Sequence, residues 1–185
     1  RTIEVTSYAE VVLFPPAAEI AHPAFANLFL QTQLDRAHHA IVCTRRPRSA
    51  GEKTPWMLHL MTVQGKTVGD VSYETDRSKF IGRGRTVAAP QAVVEGGDLS
   101  NSEGAVLDPI VAIRRTIYLA PDETARIDII SGVTDTREAA MGLAEKYHDP
   151  RLADRVFEMA WTHSQVVLRQ LNATEADAQV YGRLE

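Results

Sequence analysis

The sequence predicts a mainly β protein, an antiparallel β-sandwich over residues 1–132 followed by linker α-helices over 133–185. Two observations carry that prediction. Apolar residues recur at alternate positions through much of the first 131 residues, whereas after Gly132 they recur at three- and four-residue spacing. No stretch of helical period separates the early extended segments, which argues against a parallel sheet with crossover helices and for an antiparallel sandwich.

Ile3, Val5, Ala9, Val11 and Leu13 alternate with Thr2, Glu4, Thr6, Tyr8 and Glu10, the pattern of a half-buried strand over 1–13 that Phe14-Pro15-Pro16 ends. Ala17 to Phe29, with His22-Pro23 inside it, reads as a connection that partly covers the sheet. Extended runs at 37–45 and 56–63 are apolar enough to be buried on both faces. Val68 to Tyr73 reads as the end of a strand. Ile110 to Leu119 and Ala125 to Ser131, separated by the turn chemistry of Pro121-Asp122-Glu123, read as the clearest hairpin. Five or six strands result.

Beyond Gly132, Asp135 with Glu138 reads as a variant capping box. Ala139, Ala140, Leu143, Ala144 and Tyr147 then share one helical face. Asp149-Pro150 opens a second helix with a stripe of Leu152, Val156, Met159, Ala160, Val167 and Leu171, ended by Asn172. Thr174 with Asp177 starts a third.

With 44% hydrophobic and 24% charged residues the composition excludes a disordered chain, and no apolar run approaches the ~18 to 20 residues of a membrane span. The net charge of -4 argues against nucleic acid as a partner. The basic cluster Arg45, Arg46 and Arg48 reads as solvated surface or as a small-anion contact. Cys43, the only cysteine, excludes an intrachain disulfide and reads as a buried, inert strand residue. The chain starts at Arg1 with no signal peptide and ends inside a helical pattern, so it is expected to be an excerpt of a longer protein.

The segment YETDRSKFIGRGR at 73–85 concentrates charge, two glycines and two aromatics, and is expected to form a binding loop outside the core. Glu74, Asp76, Arg77, Arg83 and Arg85 are its candidate ligand contacts. The guanidinium groups offer forked donors to hydroxyls or phosphate, and the carboxylates accept from hydroxyls. Ordinary pairing of Glu74 and Asp76 with Arg77 or Arg83 is the alternative. His38 and His39 are expected to point apart on a strand, and none of the six histidines shows zincin spacing, so no metal or cofactor is expected. Walker and nucleophile-elbow motifs are missing from the sequence. Trp56 and Trp161 read as core residues rather than a sugar platform.

Six segments in order, SYAEVVL at 7–13, HPAFANLF at 22–29, TRRPRS at 44–49, YETDRSKFIGRGR at 73–85, GAVLDPIVAIRR at 104–115 and AWTHSQV at 160–166, resemble the cellobiose and chitobiose phosphorylase family, most nearly the phosphorylase-like region of bacterial cyclic beta-1,2-glucan synthases. The resemblance implies a galactose-mutarotase-like supersandwich portion with linker helices. It also implies a parent enzyme that phosphorolyses or transfers beta-glucosides, with inorganic phosphate as co-substrate and the general acid in an (alpha/alpha)6 barrel outside this stretch. Residues 1–185 alone are accordingly expected to be catalytically inactive. The sandwich would mediate homodimer contacts and lend 73–85 to the rim of an acceptor site. The implied parent is cytoplasmic, either held at the inner membrane by other segments or a soluble beta-glucoside phosphorylase. A purely structural or carbohydrate-binding module is the reading from another class.

Overall fold

A computed structural model describes residues 1–47 and 49–183; Arg48, one of the three basic-cluster arginines, lies outside the described residues. The chain separates into two compact units, Arg1–Asp149 and Pro150–Glu185.

The first unit is an antiparallel sandwich of two four-stranded sheets. In the first sheet β7 (Pro109–Tyr118) is central, with β1 (Thr2–Thr6) and β2 (Ala9–Glu10) along one side and β6 (Lys66–Asp76) along the other. The second sheet runs β3 (Leu30–Asp35), β4 (Ala40–Arg45), β5 (Trp56–Gln64), β8 (Arg126–Thr134). The expected strand over 1–13 is therefore two, divided where the Ser7 amide donates to the Ile113 carbonyl at 2.9 Å and the Ser7 hydroxyl accepts from the Ile113 amide at 3.1 Å.

The expected hairpin does not form. β7 pairs with β1, β2 and β6, whereas β8 pairs along its whole length with β5, so the turn at 121–123 carries the chain from one sheet to the other. Asp122 there has φ +62°, a reversal that fits a sheet-to-sheet crossing as well as a hairpin. The β5–β6 connection at Gly65 crosses between the sheets in the same way.

Alternation decides the layers. Ile41, Cys43 and Met61 face Tyr73, Val111 and Ile113 between the sheets, joined by Val11, Leu13, Phe14, Ala26 and Leu30. The opposite face of the second sheet, with Ala40, Val42, Leu58 and Leu60, is covered by α5 (Arg137–Tyr147) through Ala140 and Ala144, whose small side chains allow close approach. Thr136 caps that helix by accepting from the Ala139 amide at 3.1 Å, the role expected of Asp135. The boundary drawn after residue 132 marks the change of period, yet α5 lies beyond it and packs on the sheet. The outer face of the first sheet, with Ile110 and Ala112, is covered by α3 (Arg77–Ile81) through Phe80 and Ile81, and by Leu99. Where a connection was expected at 17–29, two short helices form, α1 (Pro16–Ala21) and α2 (Pro23–Asn27).

Cys43 is fully buried, and burial pushes its thiol up to about 12, so the inert reading stands. Arg45 is buried rather than solvated, bound to Glu52 at 2.6 Å with its guanidinium 4.8 Å from the Phe14 ring centre, whereas Arg46 is exposed as expected and donates to the Leu28 carbonyl at 2.8 Å. Trp56 packs against the core beneath α5.

The second unit holds α6 (Arg151–Gln170) and α7 (Glu175–Tyr181). Pro150 takes the N-cap position of α6, and Asn172 at φ +51° ends it in the left-handed turn that asparagine tolerates. Thr174 and Asp177 form the expected capping box on α7. Trp161 is 66% exposed on α6, against the core role expected of it. No described helix is long and apolar enough to cross a membrane.

Candidate functional site

The segment 73–85 is not the solvated loop that its composition suggests. Tyr73 and Thr75 are fully buried in β6, Glu74 is 2% exposed, and Phe80 and Ile81 of α3 enter the core. The charges at its start are accommodated because they are bound. Glu74 Oε1 accepts from the amides of Thr75 and Asp76 at 3.0 and 3.1 Å and from the Ser102 hydroxyl, while Oε2 accepts from the Ser100 hydroxyl at 2.7 Å. The neighbouring backbone is tied down as well. Asn101 exchanges bonds with Tyr73 through its amide and Oδ1, and the Leu99 amide donates to Ser72 Oγ at 3.0 Å. Glu74 thereby fastens residues 99–102 along β6 and acts as an anchor.

Asp76 is an N-cap. Its Oδ1 accepts from the amide and hydroxyl of Ser78 at 2.9 and 2.7 Å, which starts α3. Gly82 ends that helix at φ +82°, where a Cβ would lie 2.3 Å from the Gln91 side chain, so the position admits only glycine. Arg83 beyond it is exposed. Arg85 approaches Glu95 at 3.5 Å. The five candidates therefore part into an anchor, a cap, two outlying arginines and Arg77.

Two clefts flank β6. The first, of about 360 Å³, lies over the outer face of the first sheet between Lys79, Glu95, Asp98 and Ser100, with Glu74 and Arg114 at its base. Arg114 is 3% exposed and donates to Thr6 Oγ1 at 2.8 Å, to the Ala92 carbonyl at 2.7 Å and to the Gly97 carbonyl, so it holds the 92–97 turn in place.

The second cleft, of about 350 Å³, is lined by Glu10, Asn27, Arg77 and Asp108 with Val11, Val12 and Leu107 as its apolar part. Arg77 Nε donates to Glu10 Oε1 at 3.1 Å, and its NH1 lies 3.6 Å from Asp108 Oδ2. Tyr8 donates its hydroxyl to Glu10 at 3.0 Å while its ring packs 5.0 Å from that of Phe80. Asn27 Nδ2 donates to Asp108 Oδ1 at 3.3 Å, and the Arg77 amide donates to the Asp108 carbonyl at 3.0 Å. Burial raises the Asp108 carboxyl above its ordinary value, partly offset by Arg77, and burial likewise raises the Tyr8 phenol. The side chains of Glu10 and Asp108 remain 56% and 49% exposed, so this constellation is accessible.

Four of the segments singled out in the sequence meet at this second cleft. Tyr8 and Glu10 come from 7–13, Asn27 from 22–29, Arg77 from 73–85 and Asp108 from 104–115. Arg77 was identified from sequence. Glu10, Asn27 and Asp108 were not, because the contacts that assemble them, Arg77 with Glu10 across 67 residues and Asn27 with Asp108 across 81, are long-range ones that spacing does not encode. Amide, carboxylate and guanidinium groups around an apolar floor suit a polyhydroxylated ligand.

The histidines also gather, though not on a strand. His38 and His39 sit in the turn between β3 and β4, with ring centres 6.0 and 5.4 Å from that of His148. Asp35 binds His38 at 2.6 Å. No group of three or more histidine, cysteine or acidic residues is placed to hold a metal ion among the described residues.

A two-sheet antiparallel sandwich with helices on its outer faces defines the class, and the chain belongs to the glycosyl hydrolase 94 supersandwich domain family, whose model matches residues 1–150. Among individual proteins it is similar to the cyclic beta-(1,2)-glucan synthase NdvB of Rhizobium meliloti (strain 1021), with 35% identity over 186 residues. That match takes in 99% of this chain and only 7% of the relative's length.

Proposed function

We propose that this chain is the non-catalytic supersandwich module of a larger carbohydrate-active enzyme of the cyclic beta-1,2-glucan synthase type, acting on beta-glucans by glycosyl transfer or phosphorolysis. The observation that carries the proposal is the 35% identity extending over 99% of the chain, which takes in the linker helices as well as the sandwich. The engaged state of Glu74 agrees with a supporting role. Within the module, the Glu10, Asn27, Arg77 and Asp108 cleft is the part that meets the glucan at the rim of the acceptor site, in place of the whole 73–85 segment. Chemistry and phosphate binding belong to the remainder of the parent.

The test is an assay for glucose 1-phosphate with phosphate and beta-1,2-glucan, run on residues 1–185 and on the longer polypeptide. Product from the longer polypeptide alone is expected. Turnover by residues 1–185 that survives purification controls overturns the proposal. Arg77→Ala in the longer polypeptide is expected to raise the KM for acceptor several-fold, and an unchanged KM removes the cleft from the acceptor site.

A further inference from the structure

We infer that the outer edge of β8 is an interaction surface, completed by a β-strand from elsewhere in the longer polypeptide proposed above. This inference rests on the module reading for the source of the strand, but its evidence is separate. β8 is nine residues long, about 30 Å of extended chain. It pairs with β5 from Trp56↔Thr134 to Gln64↔Arg126. Among the described residues, no backbone amide or carbonyl of 127–134 bonds outside that ladder.

The edges of β3 and β6 are in part covered. Across β3, Thr32 and Gly104 exchange two backbone bonds of 2.8 Å and Glu103 accepts from the Leu34 amide. Beside β6, Asn101 pairs with Tyr73. β8 also lacks the usual protections of an edge. It contains no proline or lysine, and its single carboxylate, Asp128, is bound by Arg126 Nε at 3.0 Å.

The side chains indicate what covers it. Register places Ile129 opposite Met61 and Val133 opposite Met57, and both methionines face the space between the sheets. Ile129 and Val133 nevertheless stay 52% and 63% exposed, although Ile127 on the same face packs against the core between the sheets. A row of unpaired backbone groups beside alternating apolar side chains is recognised by an extended strand of matching alternation, since only a strand meets both requirements together. The relative has 93% of its length outside the matched region, so polypeptide to supply such a strand is abundant in a protein of that kind.

Hydrogen exchange read by mass spectrometry on peptides covering 126–134 tests the inference. In residues 1–185 at low concentration about half of these amides, those not bonded to β5, are expected to exchange within seconds. In the longer polypeptide that fast phase is expected to slow about tenfold or more. Val133→Arg is expected to leave the melting temperature of residues 1–185 within about 2 °C while restoring the fast phase in the longer polypeptide. An equally fast phase in both forms overturns the inference and leaves the module reading standing. Protection that appears in residues 1–185 as concentration rises assigns the edge to a second copy and overturns it too.

Discussion

His59 gives the sandwich a calculable sensitivity to acid. It lies on β5 between Met57 and Met61, 2% exposed, and its ring joins the two sheets: Nε2 is 2.9 Å from Ser7 Oγ and Nδ1 is 2.8 Å from Ser131 Oγ. A neutral imidazole has one donor and one acceptor, which two hydroxyls satisfy. Burial lowers its pKa from 6.5 to about 4. Because the folded value is the lower one, the unfolded chain takes the proton first. The stabilisation from keeping His59 neutral is complete above pH 6.5 and is lost as pH falls toward 4.

Lowering from 6.5 to about 4 corresponds to about 3 kcal/mol in total, of which about 2.5 kcal/mol is lost by pH 4.5. That is a large share of the stability of an ordinary domain. Urea unfolding at several pH values, followed by Trp56 fluorescence in a Trp161→Phe background, measures it. His39, lowered to about 4 by burial and by the neighbouring Arg115 and His148, adds a similar slope over the same range. Wild type should therefore lose stability with close to two protons of slope between pH 6.5 and 4.5, and His59→Gln with about one. An identical slope in His59→Gln would refute the reasoning, whatever that variant does to stability at neutral pH.

Glu74→Ala removes the acceptor of the Thr75 and Asp76 amides and is expected to cost about 2 to 3 kcal/mol, with faster hydrogen exchange at 99–102; a melting temperature equal to wild type counts against the anchor. Asp76→Ala is expected to cost about 1 kcal/mol through loss of the α3 cap, and Arg83→Ala less than about 0.5 kcal/mol, both read by thermal melts; equal costs would contradict the separation of cap from outlying arginine.

Much of the fold is legible in the residues, and the failures share a cause. β4 and β5 follow from apolar runs, and α7 follows from Thr174 and Asp177, because in each case the signal is local. β3 is missed because Thr32, buried and bonded to Thr75, alternates with Gln31 and Gln33 and makes the whole strand look polar. The false hairpin arises because turn chemistry at 121–123 specifies a reversal without specifying which sheet the chain enters next. Glu74 reads as solvent-facing because the hydroxyls and amides that bind it include Ser100 and Ser102, more than 25 residues away. The candidate site fails to appear for the same reason. Arg77 is visible in its motif, but Glu10 arrives through β2, Asn27 at the end of α2 and Asp108 just before β7.

The crossing of β5 to β6 and of β7 to β8 between sheets has a consequence for the order in which the protein is made. Of these eight strands β1 and β2 are made before the others, yet the strand they pair with, β7, begins at Pro109. At about 5–20 residues per second, those first strands wait on the order of ten seconds for their partner. β6 waits for that same strand, and β5 for β8. Neither sheet can close from a nascent chain that stops short of Tyr118, so the sandwich forms late and through long-range contacts. A ribosome-bound fragment ending before β7 would display open edges and apolar faces, which makes it a natural client for a chaperone.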